Sequence, residues 1–129
     1  MDERAEIAGM TVSWDAPSHA VLIRICGYVE GEALRLPCNK AIELMISKRS
    51  SRIITDSREM RVLTQQDQQW IDDDWRPRAR AAGLRRNAIL VPKSAVAKLT
   101  MAAVLRKFDE VQFGYFSELD EARKWCNQP

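Results

Sequence analysis

The sequence predicts an α/β fold with a mostly parallel five-stranded sheet, an N-terminal β-hairpin and about four helices. Short apolar runs typical of strands alternate with stripes of three- and four-residue spacing that are typical of amphipathic helices. Strands that alternate with helices in this way favour right-handed crossovers and a parallel sheet. The 129 residues, 46% of them hydrophobic, are enough for one core, so we expect residues 1–129 to form a single domain.

The first two predicted strands form the hairpin. Residues 10–15 alternate apolar and polar side chains, residues 16–19 supply turn chemistry, and residues 20–28 are a β-branched apolar run. Strands joined by so short a connection pair antiparallel. We expect residues 1–9 to be a loose N-terminal segment.

The first predicted helix follows a change of period after the hairpin. Its apolar stripe consists of Leu34, Cys38, Ala41, Ile42 and Met45. Pro37 suits the first turn of a helix, so we expect this helix to begin near residue 37. The third strand, residues 52–56, is short and ends in the polar stretch 57–59.

A second helix begins at a capping box. Thr64 and Asp67 have the spacing at which a hydroxyl accepts a hydrogen bond from the N–H three residues later. The apolar stripe that follows consists of Ile71, Trp75, Ala79 and Ala82. Pro77 lies within this stripe, so we expect a break or kink near residues 75–76, and Gly83 is expected to end the helix.

The rest of the chain adds two strands and two helices. Residues 87–91 and 111–116 are the fourth and fifth predicted strands. Ser94 is expected to cap the third helix, and Ser117 to open a second capping box before the last one. The side chains expected to face inward are Ala97, Met101, Val104, Leu105 and Phe108 on the third helix, and Leu119, Ala122, Trp125 and Cys126 on the last.

Charge and cysteine content argue against several classes of function. The 20 Lys and Arg residues nearly balance 18 Asp and Glu, and a net charge of +2 argues against nucleic-acid binding or membrane attachment driven by bulk charge. The three cysteines lack the spacing of a zinc site, and we expect Cys26 and Cys38 to be buried free thiols. The acidic N-terminus and the absence of any ~20-residue apolar stretch favour a cytoplasmic protein without a membrane span.

We recognise no catalytic or cofactor-binding set. The single histidine, His19, falls in the predicted hairpin turn, with no nucleophile motif to accompany it. The aspartates at 72–74 are consecutive on a helix and would splay around it, so they favour a solvated face over a metal site. No glycine-rich phosphate loop is present. We therefore expect a protein that is not an enzyme and has no metal or cofactor.

Three groups of residues, together with the order of the elements, carry a family resemblance. They are Trp70-x4-Trp75-x-Pro77, Gly83-Leu84-x3-Ala88-x-Leu90-Val91-Pro92 and Phe116-Ser117-x-Leu119-x-Glu121-Ala122-x2-Trp125. With these, about residues 10–127 resemble the SpoIIAA-like, STAS/SEC14-related group of small bacterial proteins. STAS domains are named for sulphate transporters and anti-sigma-factor antagonists. The resemblance implies a SpoIIAA-like fold but no specific activity, because the motifs are mostly structural.

The chain departs from the anti-sigma-factor antagonists after the third strand. The family pattern there is an Asp-Ser-Ser-Gly-like turn whose phosphorylatable serine starts a helix. Here Asp56 and Ser57 match, but residues 58–60 are Arg-Glu-Met and the next predicted helix starts only near Thr64. A phosphate on Ser57 would lie beside Asp56 and Glu59 and outside the first turn of a helix. We therefore expect that Ser57 is not a phosphorylation switch.

Two surfaces are candidates for binding. In open α/β sheets, ligands lie beyond the carboxyl ends of the parallel strands. The residues that the predicted topology brings to that edge are Asp56, Ser57, Arg58, Lys93 and Ser94. The second candidate surface comprises Trp70, Arg76, Arg78 and Arg80. The aspartates directly before these arginines favour ion pairs within the chain, with an acidic partner as the alternative.

These observations leave two functions open. The leading prediction is a non-catalytic regulatory or protein-interaction module whose protein partner is unidentified. The alternative, suggested by the SEC14-like relation, is a carrier that binds a lipid or another small apolar or anionic ligand. A cavity lined by Met60, Trp75, Met101 and Phe108 would favour the carrier, and a filled core the interaction module. Nucleic acid is not expected as a partner, and a homodimer stays open.

Overall fold

Six strands form one mixed sheet, and their order in the sheet is their order in the chain. The computed structural model describes residues 4–7, 9–61, 63–105 and 110–129, without the side chains of 103–105. The strands are β1 (Arg4–Ile7), β2 (Met10–Asp15), β3 (Ala20–Gly27), β4 (Arg52–Met60), β5 (Arg86–Leu90) and β6 (Gln112–Phe116). Strands β1 to β3 pair antiparallel, and β3 to β6 pair parallel.

Helices connect the parallel strands, and one more helix follows the last strand. They are α1 (Glu32–Ser47), α2 (Gln65–Trp70), a π turn (Ile71–Trp75), α3 (Arg76–Ala81), α4 (Val96–Leu105) and α5 (Leu119–Cys126). Because α2, the π turn and α3 follow one another without a gap, we call them together the Gln65–Ala81 helix. Short 3₁₀ turns lie at Ala16–Ser18 and Lys93–Ala95.

The predicted α/β class and mostly parallel sheet are confirmed, with one strand more than the five expected. The additional strand is β1, which pairs antiparallel with β2. The expectation of a loose N-terminal segment is therefore wrong for residues 4–7. The side chains of β1 alternate between exposed and half-buried positions. The strand has only four residues and lies at the edge of the sheet, so its alternation is too short to predict a strand from the sequence.

The first helix begins at Glu32 rather than near residue 37. Gly31 precedes it with a φ of 60°, and its N–H donates to Oδ2 of the buried Asp67 at 3.0 Å. Asp67 is held in turn by the predicted capping box, since its own N–H donates to Thr64 Oγ1 at 3.1 Å. The carboxylate of Asp67 on α2 thus stabilises the positively polarised N-terminus of α1. Pro37 lies inside the helix instead of at its start.

A π turn, rather than a break, accommodates Pro77. The Arg76 N–H bonds to the carbonyl of Ile71, five residues earlier. Proline has no N–H, and its ring crowds the carbonyl four residues before it, so a wider turn just ahead of Pro77 relieves the conflict. The helix continues to Ala81, and Gly83 follows its end with a φ of 118°, as predicted for a stop signal.

Two predicted serine caps are wrong. Ser94 lies inside a 3₁₀ turn that begins after Pro92 and has no side-chain cap. The residue that precedes α5 is Glu118 rather than Ser117, and its side chain also makes no cap bond. The Ser117 carbonyl instead accepts a hydrogen bond from Arg58 Nη1 at 3.2 Å, so a contact with a distant strand sets this connection.

The sheet separates two apolar clusters. Because neighbouring residues on a strand point to opposite faces, Ile53 and Ile54 belong to different clusters. We call the side covered by α1 and the Gln65–Ala81 helix the α1 face, and the other side the α5 face. The α5 face holds the smaller cluster, which consists of Ala20, Ile54, Ala88, Leu90, Ala122 and Cys126.

The burial predictions are partly confirmed. Cys38 is a buried free thiol, as expected, and burial raises its pKa to about 12. Cys26 is exposed, because it lies on the α5 face of β3 beside an open cleft. Ala97 and Met101 were expected to face inward but are exposed, with Met101 at 63%. The side chains of Val104 and Leu105 and all of Phe108 lie outside the described residues.

Candidate functional site

The polar residues 56–58 lie within β4 and not beyond its end. Relative to β3, strand β4 carries an extra residue in this stretch, since Arg24 pairs with Asp56 and Cys26 pairs with Glu59. A bulge of this kind bends a strand and re-aims its side chains. The Arg58 N–H donates to Asp56 Oδ1 at 3.2 Å, so the bulge supplies part of its own hydrogen bonding.

Asp56 is the centre of an ion-pair cluster on the α5 face. The residue is 4% exposed, and its carboxylate accepts hydrogen bonds from Arg58 Nη2 at 2.9 Å and Nε at 3.0 Å. Arg24 Nε donates to the same carboxylate at 3.2 Å from the neighbouring strand. A buried charge with two guanidinium partners and several hydrogen bonds is well compensated.

The electrostatics of this cluster favour the ionised carboxylate. Burial by itself would raise the pKa of Asp56, but the hydrogen bonds and charge of Arg58 outweigh it and hold the pKa below its usual value. The same contact raises the pKa of Arg58, chiefly through its hydrogen bond to Asp56. Each group stabilises the charged form of the other, so neither exchanges a proton near neutral pH.

Ser57 points to the opposite side of the sheet. Its hydroxyl donates to the carbonyl oxygen of Leu90 on β5 at 2.8 Å. Ser57 also lines an apolar cavity on the α1 face, whereas Asp56 and Arg58 line a cleft on the α5 face. The predicted site is thus divided between the two faces of the sheet.

The cleft beside Asp56 has a volume of about 390 Å³. Its lining residues are Arg24, Ile25, Cys26, Asp56, Arg58 and Glu59. Lys93 and Ser94, the other two members of the predicted site, are exposed and do not line this cleft. The structure does not bring the five predicted residues together.

A second cavity lies between the sheet and the Gln65–Ala81 helix. Its volume is about 170 Å³, and most of its lining is apolar. Met60 and Trp75, two of the four residues named for a carrier cavity, line it, and Met101 does not. Three polar side chains from the sheet, Thr55, Ser57 and Asn87, also face it.

Of the four residues predicted for the second surface, Trp70 and Arg78 contact each other on the Gln65–Ala81 helix. The guanidinium carbons of Arg35 and Arg78 lie 5.3 Å and 5.9 Å from the centroid of the half-buried indole. Arg80 is exposed on the same helix. We call Trp70, Arg35 and Arg78 the Trp70 surface.

Ion pairs with the preceding aspartates hold two arginines of this helix, Arg76 and Arg78. Arg78 pairs with Asp74 at 2.8 Å and also donates to Asn39 Oδ1 at 2.8 Å. Arg76 pairs with Asp72 at 3.1 Å and lies against the half-buried ring of Phe113 rather than on the Trp70 surface. Each pair is exposed enough to contribute little stability, but together they fix the positions of the side chains.

Sequence reasoning missed a buried carboxylate at the hairpin. Asp15 accepts hydrogen bonds from Arg123 Nη2 at 2.7 Å and Nε at 3.1 Å, and from the Ser18 hydroxyl. Burial pushes the pKa of Asp15 upward, but these partners outweigh it and lower the pKa. The pair joins the hairpin to α5 across more than a hundred residues of sequence, so no local pattern could have indicated it.

No metal cluster is found in the described part of the chain, where no three His, Cys, Asp or Glu side chains lie close enough together to hold an ion. His19 is exposed in the hairpin turn, with its ring edge against Trp14 at 4.9 Å. No helix among the described residues is both long and apolar enough to span a bilayer.

Comparisons with known proteins identify the fold. No protein-family model matches the chain, and no curated protein matches it. Among solved structures, an uncharacterized protein of the DUF3478 family with a SpoIIAA-like fold, from Shewanella loihica PV-4, is similar with a TM-score of 0.66 at 15% identity, over 98% of each chain. The anti-sigma factor antagonist SpoIIAA in its unphosphorylated form has a TM-score of 0.55 at 16% identity, over 87% of this chain and 91% of that chain. The chain therefore has a SpoIIAA-like fold, as the sequence resemblance predicts.

Proposed function

We propose that this chain is a cytoplasmic, non-catalytic regulatory module that binds another protein through the Trp70 surface. The observation that carries the proposal is the half-buried Trp70 indole with two arginines over its ring, Arg35 at 5.3 Å and Arg78 at 5.9 Å. Trp and Arg are among the residues that contribute most binding energy at protein interfaces. The SpoIIAA-like fold is consistent with this role, since one protein of that fold is an anti-sigma factor antagonist.

The arrangement around Trp70 lowers the entropic cost of binding. Arg78 is held by Asp74 and Asn39, and cation–π contacts restrict the indole further. Side chains fixed before association lose less conformational freedom when a partner docks. A matching partner would offer an apolar pocket for the indole and carboxylates for the arginines. Arg80 is exposed and makes no ion pair with the residues that the structure describes.

Phosphorylation of Ser57 has no support as the means of regulation. The hydroxyl is used in a hydrogen bond to Leu90, and Arg58, the nearest cation in sequence, is bound to Asp56 on the other face of the sheet. A phosphate at Ser57 would therefore break an existing contact and could not pair with Arg58. We infer that recognition depends on a constitutive surface.

The carrier alternative is weaker for a lipid. Cavities that enclose drug-sized ligands usually measure roughly 300–1,000 Å³. The apolar cavity has about 170 Å³, too little for a long acyl chain. A lipid carrier would need this cavity to expand when the ligand enters.

A binding comparison between variants tests the proposed surface. Tagged wild-type protein would be used to capture partners from a lysate of its source cells, in parallel with Trp70→Ala and Arg78→Ala. Arg4→Ala is a matched control, because Arg4 also forms an exposed ion pair, with Glu6, but lies on the edge strand β1. We expect a protein that the wild type and the control retain and that both surface variants lose. Equal retention by all four proteins would contradict the proposed surface.

Light scattering of the purified protein tests a second possibility, in which the partner is another copy of the chain. A dimer that becomes monomeric in Trp70→Ala would assign the surface to self-association. A wild-type monomer would leave a different protein as the partner.

A further inference from the structure

The apolar cavity on the α1 face has a side-chain amide, that of Asn87, in its wall. Asn87 lies on β5 and is 7% exposed, and its amide oxygen accepts a hydrogen bond from Thr55 Oγ1 at 3.1 Å. Its amide nitrogen has no hydrogen-bond partner among the residues that the structure describes. Because this nitrogen borders the open space of the cavity, it can donate to a molecule that enters there.

Much of the cavity wall around Asn87 is apolar. The side chains that enclose the cavity around it are Ile23, Ile25, Ile71, Trp75, Ile89 and Phe113. Most of the lining is apolar, and the polar side chains of Thr55, Ser57 and Asn87 are contributed by the sheet. An apolar molecule with one oxygen atom would satisfy both the walls and the amide.

The walls on the helix side are held firmly in place. The Trp75 indole N–H donates to the carbonyl of Cys38 at 2.7 Å, which fixes the ring against α1. Ile71 and Trp75 are the two ends of the π turn, and both line the cavity. π turns occur often at functional sites, and here the turn forms part of the cavity wall.

The size of the cavity limits the ligand. Its volume is about 170 Å³, and an apolar protein cavity of ~150 Å³ is large enough to hold benzene. The space therefore suits one six-membered ring with a small substituent.

We propose that this cavity binds a single-ring, mainly apolar molecule carrying one hydroxyl or carbonyl oxygen, and that Asn87 hydrogen-bonds to that oxygen. This site lies beneath the Gln65–Ala81 helix, and the proposal does not depend on the protein partner. Thr55 and Ser57, which face the same space, place further hydroxyl groups near the ligand's polar atom.

Phenol and toluene are matched probes for the site, because they differ only in a hydroxyl and a methyl group. Binding of each to the purified protein would be measured by calorimetric or NMR titration. We expect saturable binding of both, with phenol tighter by roughly three- to tenfold, the usual range for one hydrogen bond. Asn87→Leu should remove this preference and retain the binding of toluene. No saturable binding of either probe, or a phenol preference that persists in Asn87→Leu, would overturn the proposal.

A second variant keeps the test valid if Asn87→Leu fails to fold. Ile71→Phe places a larger side chain in the cavity wall and should abolish the binding of both probes. Ile46→Phe makes the same change at an exposed position of α1 and should bind both probes as the wild type does. Wild-type binding by Ile71→Phe would show that the probes bind elsewhere and would reject this cavity as the site.

Discussion

The Ser57 hydroxyl donates a hydrogen bond to the carbonyl oxygen of Leu90 at 2.8 Å, across the parallel neighbours β4 and β5. This contact holds the serine on the α1 face, while the carboxylate of its neighbour Asp56 is bound by two arginines on the α5 face. The position that corresponds to a regulatory serine in the family pattern is therefore part of the sheet's internal hydrogen bonding.

The Asp56 cluster predicts a loss of stability in acid. The pKa of the folded carboxyl lies below its ordinary value of 3.8, so the ionised form favours folding above that value. The contribution is complete near neutral pH and is lost as the pH falls through the lowered pKa. Urea unfolding at pH values of about 6, 4 and 3 should show the decline.

The variant Asp56→Asn distinguishes the contribution of this cluster to the pH dependence of stability from the contributions of other titrating groups. Without the carboxylate charge, the unfolding free energy at neutral pH should fall by about 2 kcal/mol and should depend less on pH in acid. Glu59→Gln changes an exposed carboxylate on the same strand and should stay within about 0.5 kcal/mol of the wild type. An unaltered pH dependence in Asp56→Asn would contradict this role.

The indole hydrogen bond of Trp75 supports the contact between the π turn and α1. Trp75→Phe keeps an aromatic ring but leaves the Cys38 carbonyl without the donor at 2.7 Å. We expect the unfolding free energy to fall by about 1–2 kcal/mol. Tyr28→Phe removes an exposed hydrogen bond and serves as the control, with almost no change expected. Chemical denaturation of both variants checks the difference.

Gly9 is required by the turn that joins β1 to β2. Its φ is 91°, and a Cβ there would lie 2.8 Å from the carbonyl oxygen of Cys26. Gly9→Ala should cost about 1–3 kcal/mol from strain and contact together. Gly27→Ala is matched, because Gly27 also has a positive φ of 75° but no atom within 4 Å of its Cβ position. A loss no larger in Gly9→Ala than in Gly27→Ala would show that the close contact is not important.

The three thiols should react at different rates. Cys26 is exposed, whereas Cys38 and Cys126 are buried, and burial raises the pKa of these two to about 12 and about 11. Because the thiolate is the reactive form, a thiol reagent should label one cysteine rapidly in the native protein. Cys26→Ser should remove this rapid phase, and all three thiols should react after unfolding. A rapid phase that survives in Cys26→Ser would contradict the burial of the others.

Local patterns were sufficient for much of the fold. The Thr64 cap, the Gly83 stop and the two strands of the hairpin depend on residues a few positions apart, and all are observed. The start of α1 was wrong because it depends on the carboxylate of Asp67, 36 positions from Gly31. Contacts over such distances leave no periodic signal in the sequence.

The candidate site was harder to predict for a related reason. Residues 56–58 were interpreted as the polar end of a strand, which would have placed all three at one edge of the sheet. The strand continues through a bulge to Met60, stabilised by Arg24 and by the pairing of Asp56 with Arg58. A longer strand sends Ser57 and Asp56 to opposite faces. Likewise, the pairing of Trp70 with Arg35 joins two helices, and only the folded structure reveals it.

The central claim is tested most directly by measuring the affinity for the captured protein partner by calorimetry. The proteins compared are the wild type, Ser57→Asp, Ser57→Ala and Trp70→Ala. Ser57→Asp should reduce stability by about 1–3 kcal/mol, because it removes the bond to Leu90 and places a charge at the cavity. The folded fraction should nevertheless bind within about threefold of the wild type, and Trp70→Ala should bind at least roughly tenfold more weakly. Binding that is abolished in Ser57→Asp, retained in Ser57→Ala and unchanged in Trp70→Ala would contradict recognition through the Trp70 surface and would place regulation at Ser57.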